Sequence, residues 1–152
     1  MSRPVPTALC ITESAAIRLA GRAAREGTSC TALLDRLIHE GVDQLDHPGI
    51  VFRGPLDDRR AALAAGPDVW EVVARLRELG GPVDSRIAVL SAKSDLNASK
   101  IRVALAYARA HGDEILARIA RNRQAAESIH RSGVRVAAAR LGPSALHGPP
   151  SA

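Results

Sequence analysis

Along the first third of the chain the spacing of apolar positions changes. In VPTALCIT, Val5 to Thr12, apolar and small polar residues alternate, which predicts a short strand. In TESAAIRLAGRAAREG the spacing lengthens to three and four. Ala15, Leu19 and Ala23 then share one face of a helix, with Ala16 and Ala20 beside it. Thr12 can cap this helix through its hydroxyl, Glu13 suits the positive helix end, and Gly27 stops it. TSCTALLDRLIHEGVDQL restarts the helical pattern, with Thr28 or Ser29 as cap. Its stripe is Leu34, Ile38, Val42 and Leu45, widened by Leu33 and Leu37. A strand and two helices in about forty residues bury too little to stand alone, so this unit is expected to form a homodimer.

DHPGI breaks the pattern, and GIVFRGPLDDRRAAL follows as two short apolar runs around a turn, the mark of a β-hairpin. GPDVWEVVARLREL predicts a helix in which Asp68 can cap, Glu71 completes a capping box, and Val69, Val72, Val73 and Leu76 face inward. A short helix containing Ile87, Val89 and Leu90 leads through SAKSDLN into ASKIRVALAYARAHG, capped by Asn97 or Asp95. The inner face of that helix is Ile101, Ala104, Leu105 and Ala108. Its outer face carries Ser99, Arg102, Ala106 and Arg109, with Lys100 nearby, and no acid stands between Ala98 and Ala110. Helix, turn and a helix with outward bases make a candidate helix-turn-helix element. DEILARIARNRQAAESIHR forms a last helix with a thinner stripe of Ile115, Ile119, Ala126 and Ile129. The Gly/Pro/Ala mixture from Ser132 onward predicts disorder.

The pattern therefore divides the chain into residues 1–46, 47–112, a helix over 113–131 and a tail over 132–152. Charge changes that picture by its location. The net charge is +5, and 19 of the 21 basic residues are Arg, a skew that codon bias in a GC-rich genome alone can produce. Residues 1–46 hold 5 Arg against 6 acids, a net −1, whereas 47–112 hold 10 bases against 7 acids and 113–152 hold 6 against 3, each +3. The positive surface expected of a nucleic-acid binder is thus absent from the first module. Aromatics are 2% of the chain, so the core must rest on aliphatic residues, and Trp70 and Phe52 read as packing rather than as base-stacking platforms. There is no apolar run of membrane-spanning length and no secretory leader pattern, and the two cysteines lack a CxxC spacing, which together point to a cytoplasmic protein.

Two stretches carry a family resemblance. The strand, ITESAAIRLAGRAAREGTSCTALLDRLI and the Gly between its helices resemble the ribbon-helix-helix repressors of the Arc and MetJ type, over roughly residues 5–46. HPGIVFRGPLDDRRAALAAGPDVWEVVARLREL followed by KIRVALAYARAHGDEILARI resembles an actinobacterial branch of a winged-helix-like family of unknown function. That family is associated with antitoxins encoded beside PIN-type ribonuclease toxins. The match covers roughly residues 47–123, and the turn LSAKSDLN departs from the tighter turn of the family. The implied fold is mostly α with short β elements: a ribbon-helix-helix dimerisation unit, a winged-helix-like or helix-turn-helix domain, and a C-terminal helix. The implied partners are double-stranded DNA, the chain's own promoter first among them, and a PIN-type ribonuclease toxin.

In ribbon-helix-helix proteins one strand from each subunit enters the major groove. Leu9 and Ile11 match the core-facing positions here, leaving Pro6, Ala8 and Cys10 to face the bases. Guanine is read by Arg or Lys and adenine by Asn or Gln, and none of these is present. The ribbon is therefore expected mainly to dimerise, with Arg3 on the arm and a phosphate clamp at Thr28 and Ser29 as what remains for DNA. Base contact moves to Ser99, Lys100, Arg102 and Arg109, joined by Arg59 and Arg60 of the hairpin, although an ordinary solvated face explains the same charges. Arg118, Arg121 and Arg123 are candidates for contact with an acidic toxin site.

Catalytic and cofactor signatures are missing: no P-loop, HExxH, GxSxG or dinucleotide turn. His39 and His47 near Glu40, Asp43 and Asp46 read as solvent-exposed or capping residues rather than metal ligands, and His111 as a helix-end residue. Cys10 is read as a buried thiol, with a bridge to its symmetry mate as the alternative. No enzyme, cofactor or metal is expected. The preferred function is an autoregulatory antitoxin. A transcription regulator without a toxin and a dimeric interaction scaffold that binds no DNA are the alternatives.

Overall fold

The computed structural model describes residues 8–140, with side chains to residue 133. The fold is mostly helical with one two-stranded antiparallel sheet. Its elements are α1 (Glu13–Glu26), α2 (Cys30–Asp46), β1 (Ile50–Arg53), β2 (Arg60–Leu63), α3 (Val69–Glu78), α4 (Val83–Lys93), α5 (Ala98–Ala110) and α6 (Gly112–Arg140). They fall into two compact units, divided between Gly66 and Pro67. The hairpin belongs to the first unit, where β1 packs on α2, rather than with the helices that follow it.

In the first unit the caps lie where the sequence places them. Thr12 Oγ1 accepts from the Ala15 amide at 3.3 Å, and Ser29 Oγ accepts from the Ala32 amide at 3.1 Å. Gly27 takes the left-handed conformation, φ 65°, and the Thr28 amide closes back on the Ala23 carbonyl. The segment Ala8–Thr12 has no regular secondary structure, and Val5, Pro6 and Thr7 lie outside the described residues. A ribbon of the expected type takes its hydrogen bonds from a second chain, so one chain leaves it unpaired. β1 and β2 pair Ile50 with Leu63 and Arg53 with Arg60. Their turn needs Gly54, whose φ is 100° and whose added Cβ would meet the Asp58 carbonyl oxygen at 2.4 Å.

The second unit is built on α3, which packs on α4, α5 and α6. Val69, Val72 and Leu76 of α3, Ile87 and Leu90 of α4, Leu96, Ile101 and Ala104, and Ile115 of α6 are all buried. Tyr107 is also buried and stacks on the His111 ring, with centroids 4.2 Å apart. Asp68 occupies the N-cap position of α3 without the expected side-chain cap bond. Its carboxylate accepts instead from Trp70 Nε1 at 3.3 Å. Helix α6 runs through Ser132 to Arg140, where disorder was expected. Gly133 alone is too weak a breaker to end it, since Val134 to Arg140 contain neither Pro nor another Gly. Residues 141–152 of the expected tail lie outside the described residues.

Candidate dimer, nucleic-acid and partner interfaces

The stripe that sequence periodicity assigns to the core of α2 is largely open. Only Leu33 is fully buried and Leu34 half-buried, while Leu37, Ile38, Val42 and Leu45 are exposed by 47, 46, 49 and 80%. On α1, Ala23 alone is buried and Ile17 is 65% exposed. Between the two helices runs a groove of about 780 Å³, whose apolar lining includes Ile11, Ile17, Leu19, Leu34 and Leu37. Contiguous exposed apolar faces are rare on monomeric proteins and common where partners dock.

Ala8, Cys10 and Cys30 are exposed, and Arg3 and Pro6 lie outside the described residues. The read-out as a buried thiol therefore does not describe Cys10 in a single chain. The phosphate clamp is narrower than the sequence implied. The Thr28 amide is committed to Ala23 and the Ala32 amide to Ser29 Oγ, leaving the first-turn amides of Cys30 and Thr31 without an intrahelical acceptor.

The hairpin arginines are held within the first unit. Arg59 makes a two-pronged pair with Glu40, Nε to Oε1 at 2.8 Å and Nη2 to Oε2 at 2.6 Å. It also donates to the carbonyls of Gly54 and Phe52. It thereby ties the turn to α2. Arg60 pairs with Asp58 at 2.9 Å. Arg36 extends the chain of charges, 2.8 Å from Glu26 and 3.9 Å from Glu40, and Arg22 pairs with Glu26 one turn away. The hydrogen bond from Arg22 is the main reason the Glu26 carboxyl sits below its ordinary range; partial burial opposes it and Arg36 reinforces it. Arg59 is raised, chiefly by its hydrogen bonds to Glu40.

In the second unit, Ser99, Arg102 and Arg109 lie exposed along α5, and Lys100 is half-buried. The Asn97 side chain caps the helix by accepting from the Lys100 amide at 2.9 Å. Arg102 reaches Asp84 of α4 at 3.2 Å, with both side chains largely in solvent. Such a pair contributes little and yields readily to a phosphate. The structure brings these four residues onto one helix but leaves Arg59 and Arg60 in the other unit.

On α6, Arg121 and Arg123 are exposed and Arg118 is half-buried. Among the described residues no group of three metal-ligating side chains occurs, and His39 stands in solvent 3.8 Å from Asp35. Among the described residues no helix is long and apolar enough to cross a membrane. Sequence reasoning missed the Glu26–Arg36–Glu40–Arg59 chain, because its closing pair joins residues 19 positions apart. Comparison with family models, with curated proteins and with solved structures gave no match.

Proposed function

We propose that the chain is an autoregulatory, antitoxin-like DNA-binding protein of the cytoplasm that acts as a homodimer. The α1–α2 face joins two copies, and each second unit offers α5 to the major groove of a palindromic site. The observation that carries the DNA reading is the outward side of α5. Ser99, Arg102 and Arg109 are exposed there, and no acid stands on the helix from Ala98 to Ala110. Arg3 and the start of α2 add backbone contacts. The partner assignment, a PIN-type ribonuclease held through Arg118, Arg121 and Arg123, comes from the resemblance described above. The exposed, basic course of α6 is compatible with it.

The test is a titration of a fluorescent duplex from the chain's own promoter against scrambled DNA over a range of salt. Wild type should prefer the promoter and bind with a steep salt dependence. The Lys100→Ala/Arg102→Ala/Arg109→Ala variant removes six positive charges from a dimer, so its log–log salt slope should flatten by up to about five. Unchanged binding by the variant refutes α5 as the reading element.

A second reading is favoured by one observation: the ribbon offers no base-reading side chain, and the first module has no positive charge excess. This suits a dimeric interaction scaffold that leaves DNA alone, and absence of promoter binding at every salt concentration would select it.

A further inference from the structure

The second unit carries a groove of about 470 Å³ between α3 and α6. Ala74, Leu116, Ile119 and Ala120 give it an apolar lining, and Arg77, Glu78 and Arg123 its charged part. Leu116 is 46% exposed although its neighbour Ile115 is buried at 3%, so an apolar position is turned away from the packed core of the unit. Beyond the groove α6 continues without cover: every side chain from Gln124 to Gly133 is exposed, Ile129 by 74%. A helix that is open on all sides gains nothing from tertiary packing, which is where most helical stability in proteins arises. From Arg118 to Gly133 it carries Arg118, Arg121, Arg123 and Arg131 against Glu127 alone.

We infer that the α3–α6 groove and the open length of α6 form one docking surface for an acidic, amphipathic segment of a partner protein. The apolar lining takes aliphatic or aromatic side chains, and carboxylates flanking them meet Arg77 and Arg123. A second copy of the chain would set arginine against arginine. Nucleic acid would leave the Leu116 and Ile119 surface unmatched by its phosphates. The inference rests on the assignment of α6 to a partner and uses nothing from the DNA reading. It names a seat away from any metal-binding nuclease centre, and the partner need not be a toxin.

The test is to pan a random peptide display library against the full chain, with peptide affinities then measured by fluorescence anisotropy. Recovered peptides should combine Asp or Glu with Leu, Ile or Phe. Their affinity should fall at least tenfold in the Arg77→Glu/Arg123→Glu variant and in Leu116→Ser. A peptide with the same composition but scrambled order should bind more weakly. Both variants alter exposed side chains, and circular dichroism melts should match wild type. Recovery of no peptide, of acid-free peptides, or of peptides that bind the variants equally well overturns the inference. So does equal binding by the scrambled peptide, which would reduce the surface to diffuse charge. Promoter DNA that competes for the groove and loses affinity in the same variants would assign the groove to nucleic acid instead. Failure of the groove with promoter recognition intact would leave the proposed function standing.

Discussion

Replacing Val42 by Asp should dissociate the proposed dimer while leaving each chain folded. Ile17, Leu37, Ile38, Val42 and Leu45 keep 65, 47, 46, 49 and 80% of their surface in solvent in the single chain. Full burial of such a side chain contributes roughly 1.5–3 kcal/mol, so covering what remains exposed contributes about 1–1.5 kcal/mol each. Summed over both copies this is on the order of 10–15 kcal/mol. Against an association cost of about 4–5 kcal/mol, the lower end of its range, roughly 6–10 kcal/mol remains. That margin brackets a micromolar Kd. Val42→Asp removes about 1 kcal/mol of apolar contribution per copy and adds at least about 2 kcal/mol for burying a carboxylate without a partner. Symmetry doubles both effects, giving about 6 kcal/mol, or on the order of a 10⁴-fold weaker dimer. Sedimentation equilibrium measures it directly. Ala32→Asp, which adds the same charge at an exposed first-turn position of α2 away from that stripe, serves as control and should remain dimeric. A wild type that is monomeric at the highest attainable concentration would rule out this interface. So would a Val42→Asp variant that sediments with an unchanged Kd.

Three further outcomes follow from the packing. Breaking the Arg59–Glu40 pair by Arg59→Ala or Glu40→Gln should destabilise the first unit by about 1–3 kcal/mol in urea unfolding, since each change leaves a partly buried group short of its partner. A change below about 0.5 kcal/mol would show that Arg59 is an ordinary surface cation. Glu26 has a folded-state pKa below its ordinary value of 4.5, so its contribution is present above that value and is lost as pH falls through the folded value. Wild type and Glu26→Gln should therefore differ most near neutral pH and converge on acidification, and a constant difference in urea midpoint across that range would contradict the assignment. In the second unit Ile101→Ala should cost roughly 2–5 kcal/mol because the side chain is fully buried, whereas Arg102→Ala should stay within about 0.5 kcal/mol.

Much of the local structure was legible in the chain because it depends on near neighbours. Thr12, Gly27, Ser29 and Asn97 act at helix ends as their chemistry dictates, each through a backbone group within three or four residues. The spacing of Val69, Val72 and Leu76 likewise found the inner face of α3. What escaped was the identity of what covers a face. Leu37, Ile38 and Val42 repeat with a helical period, and the period says only that they are apolar together. A single chain leaves them open. Arg59 resembled the exposed bases of α5 because its partner, Glu40, lies 19 residues away on another element. Tyr107 was overlooked beside the alanines and Leu105 of its own helix, yet it is among the largest fully buried side chains. Asp68 sits at the cap position but bonds the Trp70 indole. For the candidate DNA surface, sequence gave the helix and its outward residues, while the separation of Arg59 and Arg60 into the first unit is a matter of tertiary packing.

In the proposed complex a dimer presents two α5 helices to one duplex. Hydroxyl-radical footprinting of the promoter duplex with wild-type protein and with the Lys100→Ala/Arg102→Ala/Arg109→Ala variant tests it most directly. Two protected half-sites related by a dyad and spaced by about one helical turn or a multiple of it are expected, both lost in the variant. Protection that survives the variant, or a single unpaired footprint, would contradict it.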